Sequence, residues 1–226
     1  MNKLEPIKLV LTIVSGVCWT GVYVEGIRLG FKERTYAIPF YALALNIAWE
    51  LLHTAFGFQA GLSVQTIINA VWFAFDVGII YTYFKFGRKY FPRHLPARAF
   101  IGWSLIGILT ALFVEYAFIR EFGVAKGAGY SAFLQNLLMS ILFIDMFVKR
   151  GNSEGQSLYI AINKWLGTLA PTILFGVLGE GAFPQGSFLI LLLGILCSVF
   201  DLIYVWMLLK FEIFQVRAIA GQYPKQ

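Results

Sequence analysis

Seven stretches of this chain are predominantly apolar and each about 20 residues long, which is the length an α-helix needs to cross the hydrocarbon core of a bilayer. They cover 7–27, 36–57, 62–84, 97–118, 129–148, 158–178 and 187–209. Lipid offers no water to backbone N–H and C=O groups, so a spanning segment must satisfy them within itself. That constraint predicts an all-α membrane protein, a bundle of seven transmembrane helices in one domain over 1–226. The balance of residues agrees: 13% are charged, against about 25% in soluble domains. The first apolar run continues past the length of a secretory h-region and reads as a span. Pro171 falls inside the sixth span, where it deletes a backbone donor and crowds the preceding turn, so a kink is expected there.

The net charge of +6 would suggest nucleic acid as a partner in a soluble protein. Here the basic residues sit between apolar runs, and orientation in the bilayer explains them better. The side holding the N-terminus carries 4 Lys and Arg, and the other side carries 13. Lys164 lies within or near the sixth span and is set aside from that count. The positive-inside rule then puts the N-terminus outside and the C-terminus in the cytoplasm. The tail after residue 210 is too short to span again and is expected to lie along the interface. Cys18 and Cys197 fall within apolar runs and suggest neither a disulfide nor a metal site. The segment "FDVGIIYTYFKF" at 75–86 can be laid over "FDLIYVWMLLKF" at 200–211. This hints at a 3+1+3 parallel repeat, with the fourth helix as linker.

Against this apolar background, "NIAWELLH" at 46–53 places Asn46, Glu50 and His53 at i, i+4 and i+7, on one helix face. Ionisable groups at membrane depth are expensive and mark function by default. Glu50, Asp76 and Asp201 lie deepest, and Glu115 is a further candidate. A rise of 1.5 Å per residue puts Glu50 about 9 Å nearer the outer face than Asp201, so the two are expected to flank a cavity rather than touch. Glu25 and Asp145 lie near helix ends and read as interfacial carboxylates paired with Arg28 and Lys149. Glu50, Asp76 and Asp201 have no obvious buried Lys or Arg for company. A carboxyl buried without a counter-ion holds its proton at neutral pH and is a proton donor in waiting. Asn46 and His53 are expected to orient Glu50. Asn136 and Tyr204 add polar groups at helical spacing. Trp19, Tyr23, Trp49 and Trp72 supply aromatic faces, whose quadrupoles stabilise a cation by about 2 kcal/mol or more when desolvated. For most of these polar and aromatic groups, ordinary helix–helix packing is the competing explanation.

Seven spans, "NIAWE" in the second helix, "WFAFD" in the third and an isolated Asp in the seventh resemble the small integral-membrane terpene cyclases of fungal meroterpenoid and indole diterpene pathways and their bacterial relatives. The resemblance implies cyclisation of a linear prenyl chain, carried on an aromatic or polyketide head, by protonation of a terminal epoxide or alkene without loss of diphosphate. It implies two essential acids, matching Glu50 and Asp201, with Asp76 as a less certain third. Asn46, Trp49, His53, Trp72, Trp19, Tyr23, Tyr204, Asn136 and Glu115 are the expected substrate-binding residues. The soluble terpene cyclase signatures DxDD and DDxxD are absent from the sequence. No cofactor, metal, nucleic acid or obligate protein partner is expected; the partners are the prenylated substrate and the bilayer. The membrane would be the bacterial inner membrane or, in a eukaryote, the endoplasmic reticulum. A small transporter of the PQ-loop type is the alternative, on the strength of Pro184-Gln185 before the last span. A retinal photoreceptor needs a lysine in the middle of the last helix, and Lys210 stands at its end.

Overall fold

The computed structural model describes residues 4–61 and 64–219, and helix dominates them. The helices are α1 (Glu5–Lys32), α2 (Phe40–Ala60), α3 (Val64–Phe86), α4 (Ala97–Arg150), α5 (Leu158–Ile173) and α6 (Phe188–Ile219). Their starts follow local chemistry. Pro39 and Pro96, with extended ψ, immediately precede α2 and α4, and a proline disfavours helix in the residue before it. Ser157 caps α5 by accepting from the Ile160 N–H at 3.2 Å. Gly151, at φ 64°, closes α4 in the left-handed region.

At 54 residues, an unbroken α4 would run for about 80 Å, far beyond a bilayer. It is interrupted at Gly123, whose φ of 76° and ψ of 165° belong to a region essentially reserved for glycine. The chain reverses there. Phe100 packs on Phe91 and Tyr83, and Arg150 packs on Tyr36 and Tyr90. Both ends of α4 therefore sit at one end of the bundle. At the other end, Phe122 meets Tyr130, which meets Phe183. A loop expected between 118 and 129 is replaced by this one-residue reversal, and Arg120 and Lys126 stand on helix.

The helices follow one another round a closed circuit, α1–α3–α2–α4–α6–α5 and back to α1. Close approaches tighten it: a Cβ on Gly194 would collide with the Thr172 side chain, as small residues at membrane helix contacts allow. Large apolar side chains such as Val17, Phe113 and Phe188 point outward. Five helical stretches are long and apolar enough to cross a membrane: Glu5–Lys32, Thr66–Tyr90, Ala97–Arg150, Leu158–Leu178 and Phe188–Val216. α2, which carries Asn46, Glu50 and His53, is not among the five and lies in the circuit between α3 and α4. Pro171 lies inside α5, and three residues later the helix loosens into a π-helical turn, Leu174–Leu178, a usual companion of helix distortion. α6 runs on unbroken to Ile219, so the tail after residue 210 begins as a continuation of the last helix; residues 220–226 lie outside the described residues.

Polar side chains tie each end of the bundle. At one end Lys8 of α1 pairs with Glu180 before α6 at 2.8 Å. At the other, Arg150 donates to the Tyr36 carbonyl, Tyr90 donates to Glu154 at 2.6 Å, and the Gly155 N–H donates to Glu33 at 2.6 Å. Glu25 pairs with Arg28 and Asp145 with Lys149, as their spacing suggests.

Candidate active site in the bundle interior

α1, α2 and α3 bring one polar cluster together. The Asn46 side-chain amide donates to the Tyr23 hydroxyl at 2.6 Å and to Asp76 Oδ2 at 2.8 Å. Asp76 has no solvent exposure and its Oδ1 makes no hydrogen bond. Glu50, one turn beyond Asn46 on α2, stands close enough to Asp76 and Tyr23 to interact electrostatically, and its Oε2 is likewise unsatisfied. Asn46 thus orients Asp76 and Tyr23 rather than Glu50. His53 packs its ring on Trp49 with centroids 4.5 Å apart, and its Nε2 makes no hydrogen bond. Aromatic rings surround the Tyr23 ring: Trp19, Trp72 and Phe75 have centroids 6.3, 6.1 and 6.0 Å away. The Trp72 indole is fixed by donation to Thr20 and that of Trp49 by donation to the Ala128 carbonyl.

α4, α5 and α6 build a second cluster. Lys164 Nζ donates to Asp201 Oδ1 at 2.8 Å and to the Ser140 hydroxyl at 2.6 Å. Lys164 is 0% exposed and Asp201 1%. This corrects the expectation that Asp201 has no buried counter-ion. Setting Lys164 aside, as a residue within or near the sixth span, missed the group that satisfies Asp201. The two form a hydrogen-bonded ion pair shut away from solvent, and removing either partner would strand the other. Asp201 Oδ2 makes no hydrogen bond, nor does the hydroxyl of the fully buried Tyr204 three residues on, whose ring lies 5.4 Å from that of Phe143. Asn136 is half-buried, and its backbone carbonyl accepts from Ser140.

Glu50, Asp76 and Asp201 are buried within the circuit, but none of them lines either of two cavities. A cavity of about 730 Å³ lies between α2 and the two halves of α4, and Glu115, Ser131 and Gln135 are its polar residues. A second, of about 500 Å³, lies under Tyr36, Tyr90 and Arg150. Neither cavity is flanked by Glu50 and Asp201 as expected; both acids are buried, each with an unsatisfied oxygen. Of the expected binding residues, Tyr23 and Asn46 join the Asp76 cluster, Trp19 and Trp72 wall it, and Tyr204 belongs to the Asp201 side. Glu115 stands apart, in the groove.

No solved structure is detectably similar. The family profile of Pyr4-like transmembrane terpene cyclases matches residues 1–213. The Pyr4-family terpene cyclase mfmH of Annulohypoxylon moriforme is 33% identical over 169 residues, covering 73% of this chain and 68% of the relative. Terpene cyclase macJ of Penicillium terrestre is 29% identical, with 80% and 74% coverage. Terpene cyclase pyr4 of Aspergillus fumigatus is 26% identical, with 85% and 82% coverage. These likenesses displace the transporter suggested by Pro184-Gln185, a dipeptide that falls in the loop leading to α6. With a family match spanning nearly the whole length and helices apolar enough for lipid, the chain belongs to the Pyr4-like transmembrane terpene cyclases.

Proposed function

We propose that this protein is a membrane-bound cyclase of linear prenyl chains, farnesyl-type and epoxidised, attached to an aromatic or polyketide head. Seven crossings carry it, the halves of α4 counting separately, with the N-terminus outside and the C-terminus in the cytoplasm. The supporting features are the reversal at Gly123 and the excess of basic residues at one end. The parallel repeat remains part of this reading, resting on the likeness of 75–86 to 200–211.

The observation that carries the reading is the pair of unlike acids in one interior. Glu50 has no cation beside it in any of the ion pairs among the described residues, and a carboxyl so buried is most stable neutral. It is the proton donor. Its O–H bond breaks as the epoxide oxygen takes the proton, or the terminal carbon in an alkene substrate. The epoxide C–O bond opens as the neighbouring double bond attacks, and the cation passes along the chain. Tyr23, Trp19, Trp72 and Phe75 stabilise it by their faces, and the dry interior keeps water away. Asp201, held as a carboxylate by Lys164, faces the cation from another wall and takes the proton lost at the end. Proton exchange between the two acids restores both. The substrate loses one proton and gains one, so the product is an isomer. Asp76, fixed by Asn46, is a second carboxyl without a counter-ion beside Glu50 and adds to the reserve of protons on this wall.

The test is direct. Membranes containing the protein are given epoxyfarnesyl- and farnesyl-substituted phenols and hydroxylated heteroarenes. Isomeric cyclic products, identified by mass spectrometry and NMR, are expected. No isomerisation across the panel overturns the reading.

A further inference from the structure

The 730 Å³ groove is built unlike a packing defect. Its volume falls within the range of about 300–1,000 Å³ usual for small-molecule sites. Its mouth faces the lipid side through Trp103, Ile106, Leu134 and Leu138, all more than a third exposed. Deeper in, α4 places Glu115, Ser131 and Gln135, which are 1%, 2% and 5% exposed. Gln135 Oε1 makes no hydrogen bond to any described residue, and Glu115 and Ser131 stand side by side with one glutamate oxygen unsatisfied. Burying polar atoms without partners is unfavourable, and the tail of a membrane lipid supplies none. The glutamine oxygen is an acceptor, and a glutamate carboxyl keeps acceptor capacity whether or not it holds a proton. The complementary ligand is therefore an apolar chain ending in a hydroxyl that donates. A phosphodiester, an acceptor with no hydrogen to donate, is a poorer match for the same oxygens.

α2 separates this groove from the acid cluster. Leu45 lines the groove, while the next residue, Asn46, holds Asp76 on the interior side. We propose that the groove is the lateral entry for the prenylated substrate, and that Glu115, Ser131 and Gln135 hold the hydroxyl of its aromatic head. This rests on the cyclase reading and adds to it a route and a head-group requirement.

The experiment uses the full chain in membranes and a farnesylated phenol carrying a diazirine as probe, with its O-methyl ether alongside. Photolabel is read by peptide mass spectrometry. Label on residues 103–118 and 131–142 is expected from the phenol, and about tenfold less from the ether, the worth of one good hydrogen bond. Glu115→Gln and Gln135→Leu should each lower phenol labelling about tenfold and leave ether labelling unchanged. Thr110→Trp, at the exposed mouth, should lower both; size-exclusion chromatography checks that each variant is folded. Equal labelling by phenol and ether, label unmoved by both polar substitutions, or equal competition by a phosphatidylcholine overturns the proposal. Groove labelling with no cyclised product sinks the cyclase reading and keeps the groove. Cyclised product with label confined to α1, α3, α5 and α6 sinks the groove alone.

Discussion

The two halves of the interior solve the same problem in opposite ways. On the α1–α2–α3 side, Glu50 and Asp76 are buried with an amide and a phenol for company. On the α4–α5–α6 side, Asp201 is buried against an ammonium at 2.8 Å. One arrangement leaves its acids without a counter-ion; the other gives its acid one. The family resemblance treats both acids as essential, and under the proposed mechanism the two settings suit two tasks: a donor must be neutral, and a cation's partner must not be. Removing a neutral acid is structurally mild, whereas removing half of a buried ion pair strands the other half.

The largest expected effect is on the chemistry of the neutral side. Glu50→Gln should lower the rate of cyclisation by about 10²–10⁴-fold, the usual worth of general acid catalysis, with little change in melting temperature. Full activity in membranes would break the assignment. Lys164→Met should cost about 3–5 kcal/mol of stability by leaving Asp201 uncompensated. The double variant Lys164→Met with Asp201→Leu should recover most of it. A double variant no more stable in thermal melts than the single one would show that the pair is not the stabilising unit. Asn46→Ala should cost about 1–3 kcal/mol, because it orphans Tyr23 and Asp76 together; a smaller loss in chemical denaturation would weaken the claim that Asn46 organises the acid cluster.

The smallest effect calibrates the comparison, at an exposed ion pair outside the membrane. Burial acts to raise the Glu154 carboxyl, but hydrogen bonds from Lys89 and Tyr90 outweigh it and hold the group below its usual value. A depressed carboxyl contributes stability above its unfolded value, and that contribution is lost as pH falls through the folded one. Because Glu154 is partly exposed, a few tenths of a kcal/mol is the expected size. The difference in melting temperature between wild type and Glu154→Gln should shrink as pH drops from 7 towards 3. A difference that grows would reverse the sign.

Much of the helix pattern was readable because apolar length and proline positions report it directly: Pro39 and Pro96 stand where helices begin, and the Asn46–Glu50–His53 stripe lies on one buried face. What escaped depends on pairing across the bundle. Lys164 was left out of the charge count as lying within or near the sixth span, yet a lone lysine within an otherwise uncharged span is itself a sign of an acid opposite. Asn46 had two candidate acids within reach, and only the packing of α2 on α3 selects Asp76. The reversal between the 97–118 and 129–148 spans was legible from the charged stretch that parts them; its tightness, one glycine with helix on both sides in place of a loop, was not. The groove was invisible, since Glu115, Ser131 and Gln135 converge only after that reversal.

The reversal at Gly123 carries one more implication. With no spare residues at the bend, the angular phase of each wall is locked to the other. Each residue of an α-helix advances about 100°, so inserting a single alanine after Gly123 would swing Ser131 and Gln135 a quarter-turn or more away from Glu115. Chain length at this point is thus as strict a specification as the side chains themselves.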